Sequence, residues 1–246
     1  MEMQMSEYWY GYLYETIQFE GKKTILVHPK DGNAIGRLAI KTEYWGAFPE
    51  AAELELLNKG FHLCYIENGN RWGTDDDLDR KARFIQHITS TLHLDPKVVC
   101  VGMSCGGLIA IKLAAKYPEL ISCLYLDAPV LNYMSCPCGF GEGLPLGDDC
   151  VEEILSALGM TSISQLIGYR EMPLDKLPAL IASRIPVVMV AGDSDQVVPY
   201  HENGLCLQKV YQQTDIPFAY FIKPGCDHHP HGLTDNREVI SFILSH

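Results

Sequence analysis

Long apolar runs are missing from this 246-residue chain. No stretch approaches the ~18 uncharged apolar residues that a membrane-spanning helix needs. The opening, MEMQMSEYWYGYLYE, has neither a basic leader nor a continuous apolar run, so it does not read as a secretory signal. Positive charge is scarce, with 19 Lys+Arg against 31 Asp+Glu, and the net charge of -12 repels phosphate backbones and anionic lipid. A small molecule is therefore the expected partner, with no nucleic acid and no membrane surface, and a homo-oligomer is left open. Regular cysteine spacing is also lacking. The nine cysteines are odd in number, and Cys64, Cys100 and Cys123 sit inside apolar runs where the thiol acts as a small hydrophobe. This disfavours a disulfide framework and points to a reducing, cytoplasmic setting. Neither a phosphate-cradling glycine loop nor a dinucleotide fingerprint occurs, so no cofactor is expected.

What is present is apolar material for a substantial core, 47% of all residues, cut into short runs with helical patterns between them. Eight strands are expected: Tyr12 to Phe19, Lys23 to Val27, Arg37 to Thr42, Phe61 to Ile66, Val98 to Val101, Cys123 to Leu126, Pro186 to Ala191 and Phe218 to Ile222. The first three lie too close together for crossover helices, which predicts an antiparallel start. The later five are separated by helical spacing at Ala51 to Lys59, Asp75 to Leu92 and Leu108 to Lys116, and this predicts a mostly parallel sheet with helices on both faces. Residues 132–180 interrupt the rhythm with a glycine-rich stretch and an amphipathic VEEILSALG. A connection this long reads as a lid or cap inserted into one domain spanning 1–246.

Three segments carry chemistry. Gly102-Met103-Ser104-Cys105-Gly106-Gly107 fits G-x-S-x-G between the apolar strand KVVCV and a helix, the setting in which a serine is lifted out of a tight turn at a helix N-terminus. The Cys105 amide then points to where a substrate oxyanion would form. A serine hydroxyl needs a base and the base needs an orienting group. Asp193 and Asp195 follow the strand PVVMV, and His228, His229 and His231 follow the last strand, all at the carboxyl edge where ligands gather in such sheets. Arg71 and Trp72 follow Phe61 to Ile66 at that edge and are candidate substrate contacts. Adjacent histidines with Cys136 and Cys138 nearby also permit a metal reading, but the spacing matches no usual zinc pattern, so no metal is expected.

With the order Ser, Asp, His in place, the chain resembles the α/β-hydrolase fold serine hydrolases over nearly its whole length, near the acyl-esterase and prolyl-peptidase branches. The family's G-x-x-D-x-x-V-P pattern falls on Gly192, Asp195, Val198 and Pro199, so the resemblance selects Asp195 as the acid and leaves Asp193 to brace its turn. Its G-x-G-H pattern meets Gly225-Cys226-Asp227-His228, with Asp at the second glycine. His228 ranks first as base, before His229 and His231. Asp127 is a further candidate acid, ranked below a role as a hydrogen-bonded strand end. The resemblance implies a second oxyanion donor from the loop after the third strand, the main-chain N–H of Glu43 or Tyr44. Tyr44, Trp45 and Phe48 in that loop are candidate walls of an acyl or aromatic pocket or, equally, core beneath the loop. The implied activity is hydrolysis of a carboxylic ester, short-acyl or acylated-sugar, through an acyl-enzyme. The same scaffold also carries peptidases, thioesterases and non-catalytic receptors.

Overall fold

In the computed structural model, which describes residues 7–46 and 51–246, the short apolar runs pair into one sheet of nine strands. They are β1 (Glu7–Trp9), β2 (Tyr12–Phe19), β3 (Lys22–Val27), β4 (Leu38–Lys41), β5 (His62–Ile66), β6 (Val98–Met103), β7 (Ile121–Asp127), β8 (Val187–Gly192) and β9 (Phe218–Lys223). The expected count of eight misses β1, three residues that pair antiparallel with β2 at the sheet edge. Strands β1, β2, β3 and β5 pair antiparallel in sequence, and β5, β4, β6, β7, β8 and β9 run parallel.

The third expected strand departs from its predicted place. It does not extend the antiparallel start. As β4 it lies between β5 and β6, parallel to both. The reason is topological. The connection through α1 (Ala51–Asn58) carries the chain to β5 on one side of β4, and α2 (Asp75–Thr91) carries it back across to β6 on the other. Strand order therefore reverses at β4, and the crevice beyond its carboxyl end is where α/β sheets bind ligands.

Period-two alternation divides the strand residues between two cores. Leu26, Ile40, Cys64, Cys100, Leu124 and Met189 face α2, α3 (Cys105–Lys116), α6 (Leu177–Ala182) and α7 (Gly204–Tyr211). Val27, Ala39, Leu63, Val101, Tyr125 and Val190 face α1 and α8 (Arg237–Leu244). The segment 132–180 packs on the first of these faces. It contributes α4 (Asp148–Ala157) and α5 (Ile163–Ile167), and buries Tyr133, Ile154, Leu166 and Leu177 in that core. Among the described residues no helix is long and apolar enough to cross a membrane.

Candidate active site

Helix α3 begins at Cys105, three residues before the predicted start, so Ser104 stands directly at its N-terminus. Its φ of 50° and ψ of -119° are strained for a side-chain-bearing residue, at a cost of roughly 1–3 kcal/mol. Neighbours hold it there. The Ser104 amide donates to the Asp127 carbonyl at 2.9 Å, and its carbonyl accepts from Gly107 at 2.9 Å and Val130 at 3.1 Å. Gly102 is needed for closeness: a Cβ there would sit 2.5 Å from the Gly106 carbonyl oxygen.

The structure brings Ser104, His228 and Asp195 into one line. His228 Nε2 lies 3.2 Å from Ser104 Oγ, and its Nδ1 lies 2.8 Å from Asp195 Oδ2. A carboxylate only accepts, so Nδ1 carries the proton and the Nε2 lone pair faces the serine hydroxyl. The other Asp195 oxygen accepts from the amides of Val197 at 2.9 Å and Val198 at 2.7 Å. Both side chains are buried, which excludes water from the carboxylate–imidazole contact. The loops carrying Asp195 and His228 touch through their backbones. At Gly192 a Cβ would lie 2.2 Å from the Cys226 carbonyl oxygen, and Asp193 Oδ1 accepts from the Gly225 amide at 2.7 Å. Asp193 thus braces the loop that carries His228.

His231 takes another partner. Its Nδ1 meets Asp127 Oδ1 at 2.9 Å, both buried, and the second Asp127 oxygen accepts from the Gly232 amide. Exposed His229 stacks edge-on against both neighbouring imidazoles, with ring centroids 4.9 Å apart. One ring nitrogen from each of the three lies within 4.8 Å of the others, the only arrangement of this kind found among the described residues. Cation binding there would compete with the carboxylate and serine contacts just described.

The loop after β4 meets the elbow through a residue that sequence reasoning missed. Thr42 Oγ1 donates to the Gly106 carbonyl at 2.7 Å, tying the end of β4 to the first turn of α3. Asn68, also missed, donates to the Thr42 carbonyl at 2.9 Å and to the Glu43 carboxylate. Short polar residues just after apolar strands were the available signal. Of the two predicted amides, that of Tyr44 donates to its neighbour's carboxylate at 3.2 Å, whereas that of Glu43 lies 3.5 Å from where a Gly106 Cβ would stand. The Cys105 amide is one of the unpaired donors that open a helix. Its thiol is held protonated, since burial pushes it up to about 11.

Arg71 sits where the loop after β5 passes the segment 132–180. Asp77 fixes that loop by accepting from the Gly69 amide at 3.0 and 2.9 Å. Arg71 then donates to Glu153 of α4 at 3.2 and 2.6 Å and contacts the hydroxyl of Tyr44, whose ionisation is pushed up by burial and then by the Cys105 thiol. Trp72 requires correction. It is fully buried and T-shaped against Tyr133, because Asn70 turns the chain inward by accepting from the Trp72 amide. It supports the wall and does not contact the crevice. Trp45 joins Trp9, Tyr14 and Tyr65 in an aromatic cluster on the antiparallel side of the sheet. Phe48 lies outside the described residues.

Comparison with known proteins bears on the fold. A family model described as alpha/beta hydrolase fold matches residues 68–137, the stretch that contains the elbow. The pig acylamino-acid-releasing enzyme is 24% identical over 147 residues, 58% of this chain and 19% of that protein. Among solved structures, a Pyrococcus horikoshii acylaminoacyl peptidase superposes on 88% of this chain and 37% of its own, at TM-score 0.69 and 14% identity. Porphyromonas gingivalis dipeptidyl peptidase 4 covers 95% of this chain and 35% of its own, at TM-score 0.69 and 14% identity. An alpha/beta hydrolase from the Mar Chica lagoon metagenome covers 94% and 96%, at TM-score 0.58 and 14% identity. The chain has the α/β-hydrolase fold, and it spans about a third of the length of the two peptidase structures and matches 19% of the pig enzyme.

Proposed function

We propose that this protein is a serine hydrolase that cleaves a carboxylic ester through a covalent acyl-enzyme. The observation that carries the reading is the unbroken contact from Ser104 Oγ through His228 to Asp195 at 3.2 and 2.8 Å. As Ser104 Oγ bonds to the carbonyl carbon, its proton passes to His228 Nε2. Asp195 stabilises the resulting imidazolium without taking the proton. The carbonyl π electrons move to oxygen, where the Cys105 amide and, from the loop after β4, the Glu43 amide hold the charge. Losing one such donor typically costs ~10²–10³ in rate. Collapse expels the alkoxide, which receives the proton from His228. A water activated by the same imidazole then releases the acid and restores Ser104.

Residues 132–180 act as a lid in this reading, held by Arg71 to Glu153, and small acyl groups are favoured beneath it. A second reading, amide cleavage, is favoured by the names of the acylaminoacyl and dipeptidyl peptidases whose fold this chain shares.

A fluorophosphonate probe should label Ser104, identified by peptide mass spectrometry. Wild type should turn over p-nitrophenyl butyrate, and Ser104→Ala should lose ~10³-fold or more in kcat/KM. Faster turnover of N-acetyl-alanine p-nitroanilide than of the ester would replace the first reading by the second. A folded protein that neither labels nor turns over either substrate would remove both.

A further inference from the structure

A cavity of about 460 Å³ lies between the start of α2, the C-terminal half of α3 and the segment 132–180. Ser104, Asp195 and His228 do not line it. At ~1.5 Å of rise per residue, Lys112 stands roughly 12 Å along α3 from Ser104. Leu78, Ala115, Leu158 and the ring of Tyr169 give the cavity apolar walls, and three lysines reach it. Two are neutralised within the protein: Lys116 by Asp75 and Asp79, and Lys176 by Glu171.

Lys112 differs. It is only 6% exposed, and among the described residues no carboxylate lies within 4.0 Å of its ammonium. The Tyr169 ring, 6.0 Å away, is what it faces. Burial lowers its pKa to about 8, Asp75 opposes this, and the neighbouring lysines add to it. The two carboxylates on the cavity wall, Asp75 and Glu171, are already paired with Lys116 and Lys176, so among the described residues Lys112 has no salt bridge of its own, and an anion entering the cavity would offset the cost of burying it.

We propose that this cavity binds a small organic monoanion, a carboxylate with an aliphatic or aromatic body, and that Lys112 is its charge partner. One uncommitted cation suits one carboxylate, whereas a phosphate dianion would need donors that Lys116 and Lys176 already spend on their own partners. The apolar body rests on Leu78, Leu158 and Tyr169. Leu158 and Tyr169 belong to the segment 132–180, while Leu78 and Lys112 belong to helices packed on the sheet. An occupant therefore fastens that segment to the sheet at a distance from the serine. The site does not depend on the chemistry assigned to Ser104.

The test is titration calorimetry with sodium octanoate, using the Ser104→Ala protein so that no covalent chemistry intervenes. Losing a charge-assisted hydrogen bond weakens affinity by about 10- to 100-fold. Lys112→Met, which keeps the stem's apolar volume, should show that loss, and Lys112→Arg should retain binding. Octanoate should also shield Lys112, but not exposed Lys209, from an amine-acylating reagent read by peptide mass spectrometry. That footprint uses the natural lysine, so it decides the matter even if Lys112→Met folds poorly. Unchanged octanoate affinity in a folded Lys112→Met protein, no heat at millimolar octanoate, or acylation of Lys112 unaffected by octanoate would each overturn the proposal.

Discussion

Two aspartate–histidine pairs stand three residues apart on one loop. His228–Asp195 and His231–Asp127 have nearly equal contacts, 2.8 and 2.9 Å, and all four side chains are buried. What separates them is the far side of each assembly. Asp127 shares its strand face with Cys123 and Tyr125, so alternation along β7 turns its carboxylate toward the α1/α8 core, although its own carbonyl holds the Ser104 amide. Asp195 stands in a turn beyond β8, with its second oxygen on two amides, and the imidazole it orients reaches the serine. A buried carboxylate–imidazole contact is therefore common to the proposed reacting group and to a fastening. The third partner decides which it is.

The widest separation of the two pairs is kinetic. Asp195→Asn should lower kcat by about 10⁴, because the amide no longer selects the tautomer that leaves Nε2 free. In stopped-assay ester hydrolysis Asp127→Ala should cost less than about tenfold at a temperature where it is folded. Equal losses would erase the distinction. Stability should reverse the ranking. Asp127→Ala removes the buried carboxylate that meets His231 and accepts from the Gly232 amide, and should cost about 3 kcal/mol in urea unfolding. Gly192→Ala tests whether the two loops must touch. Its Cβ would overlap the Cys226 carbonyl, so about 1–3 kcal/mol of stability should go, together with kcat, as the His228 loop is pushed away.

His62 supplies the smallest contrast, a buried imidazole packed edge-on against His28 at 5.3 Å. Burial, then the charge of His28, lowers its pKa from 6.5 to about 4. The unfolded chain thus binds a proton that the folded chain refuses. Stability is fully present above about pH 6.5 and is lost as pH falls toward 4. His62→Gln should flatten that slope by about 1–2 kcal/mol in urea melts at pH 7 and pH 4.5.

Local chemistry made much of this legible in the sequence. The apolar strand ending at Gly102-x-Ser104-x-Gly106 specifies its own turn, and the spacing of Asp195 and His228 after apolar strands puts both at one sheet edge. Lateral order was not legible, because nothing local in LAIK tells it to enter between β5 and β6, and three residues of β1 are too few to show a period. Trp72 was misplaced for a similar reason. A tryptophan in a loop beside glycines looks exposed, and only the inward turn made by Asn70 and the face of Tyr133 bury it. Thr42 and Asn68 escaped notice because a threonine or asparagine after a strand looks like any turn residue until the helix it fastens is in place.

The reversal of strand order at β4 has a consequence for how the molecule matures. The turn that carries Ser104 and the loop beside it come from strands distant along the chain, and His228 arrives 124 residues after Ser104, beyond the final strand. Closing loops of that length is slow compared with forming local helices. Under the proposed chemistry, partly folded chains lack the imidazole beside Ser104 however much sheet they already hold, and the onset of ester turnover during refolding should report the docking of the last strand.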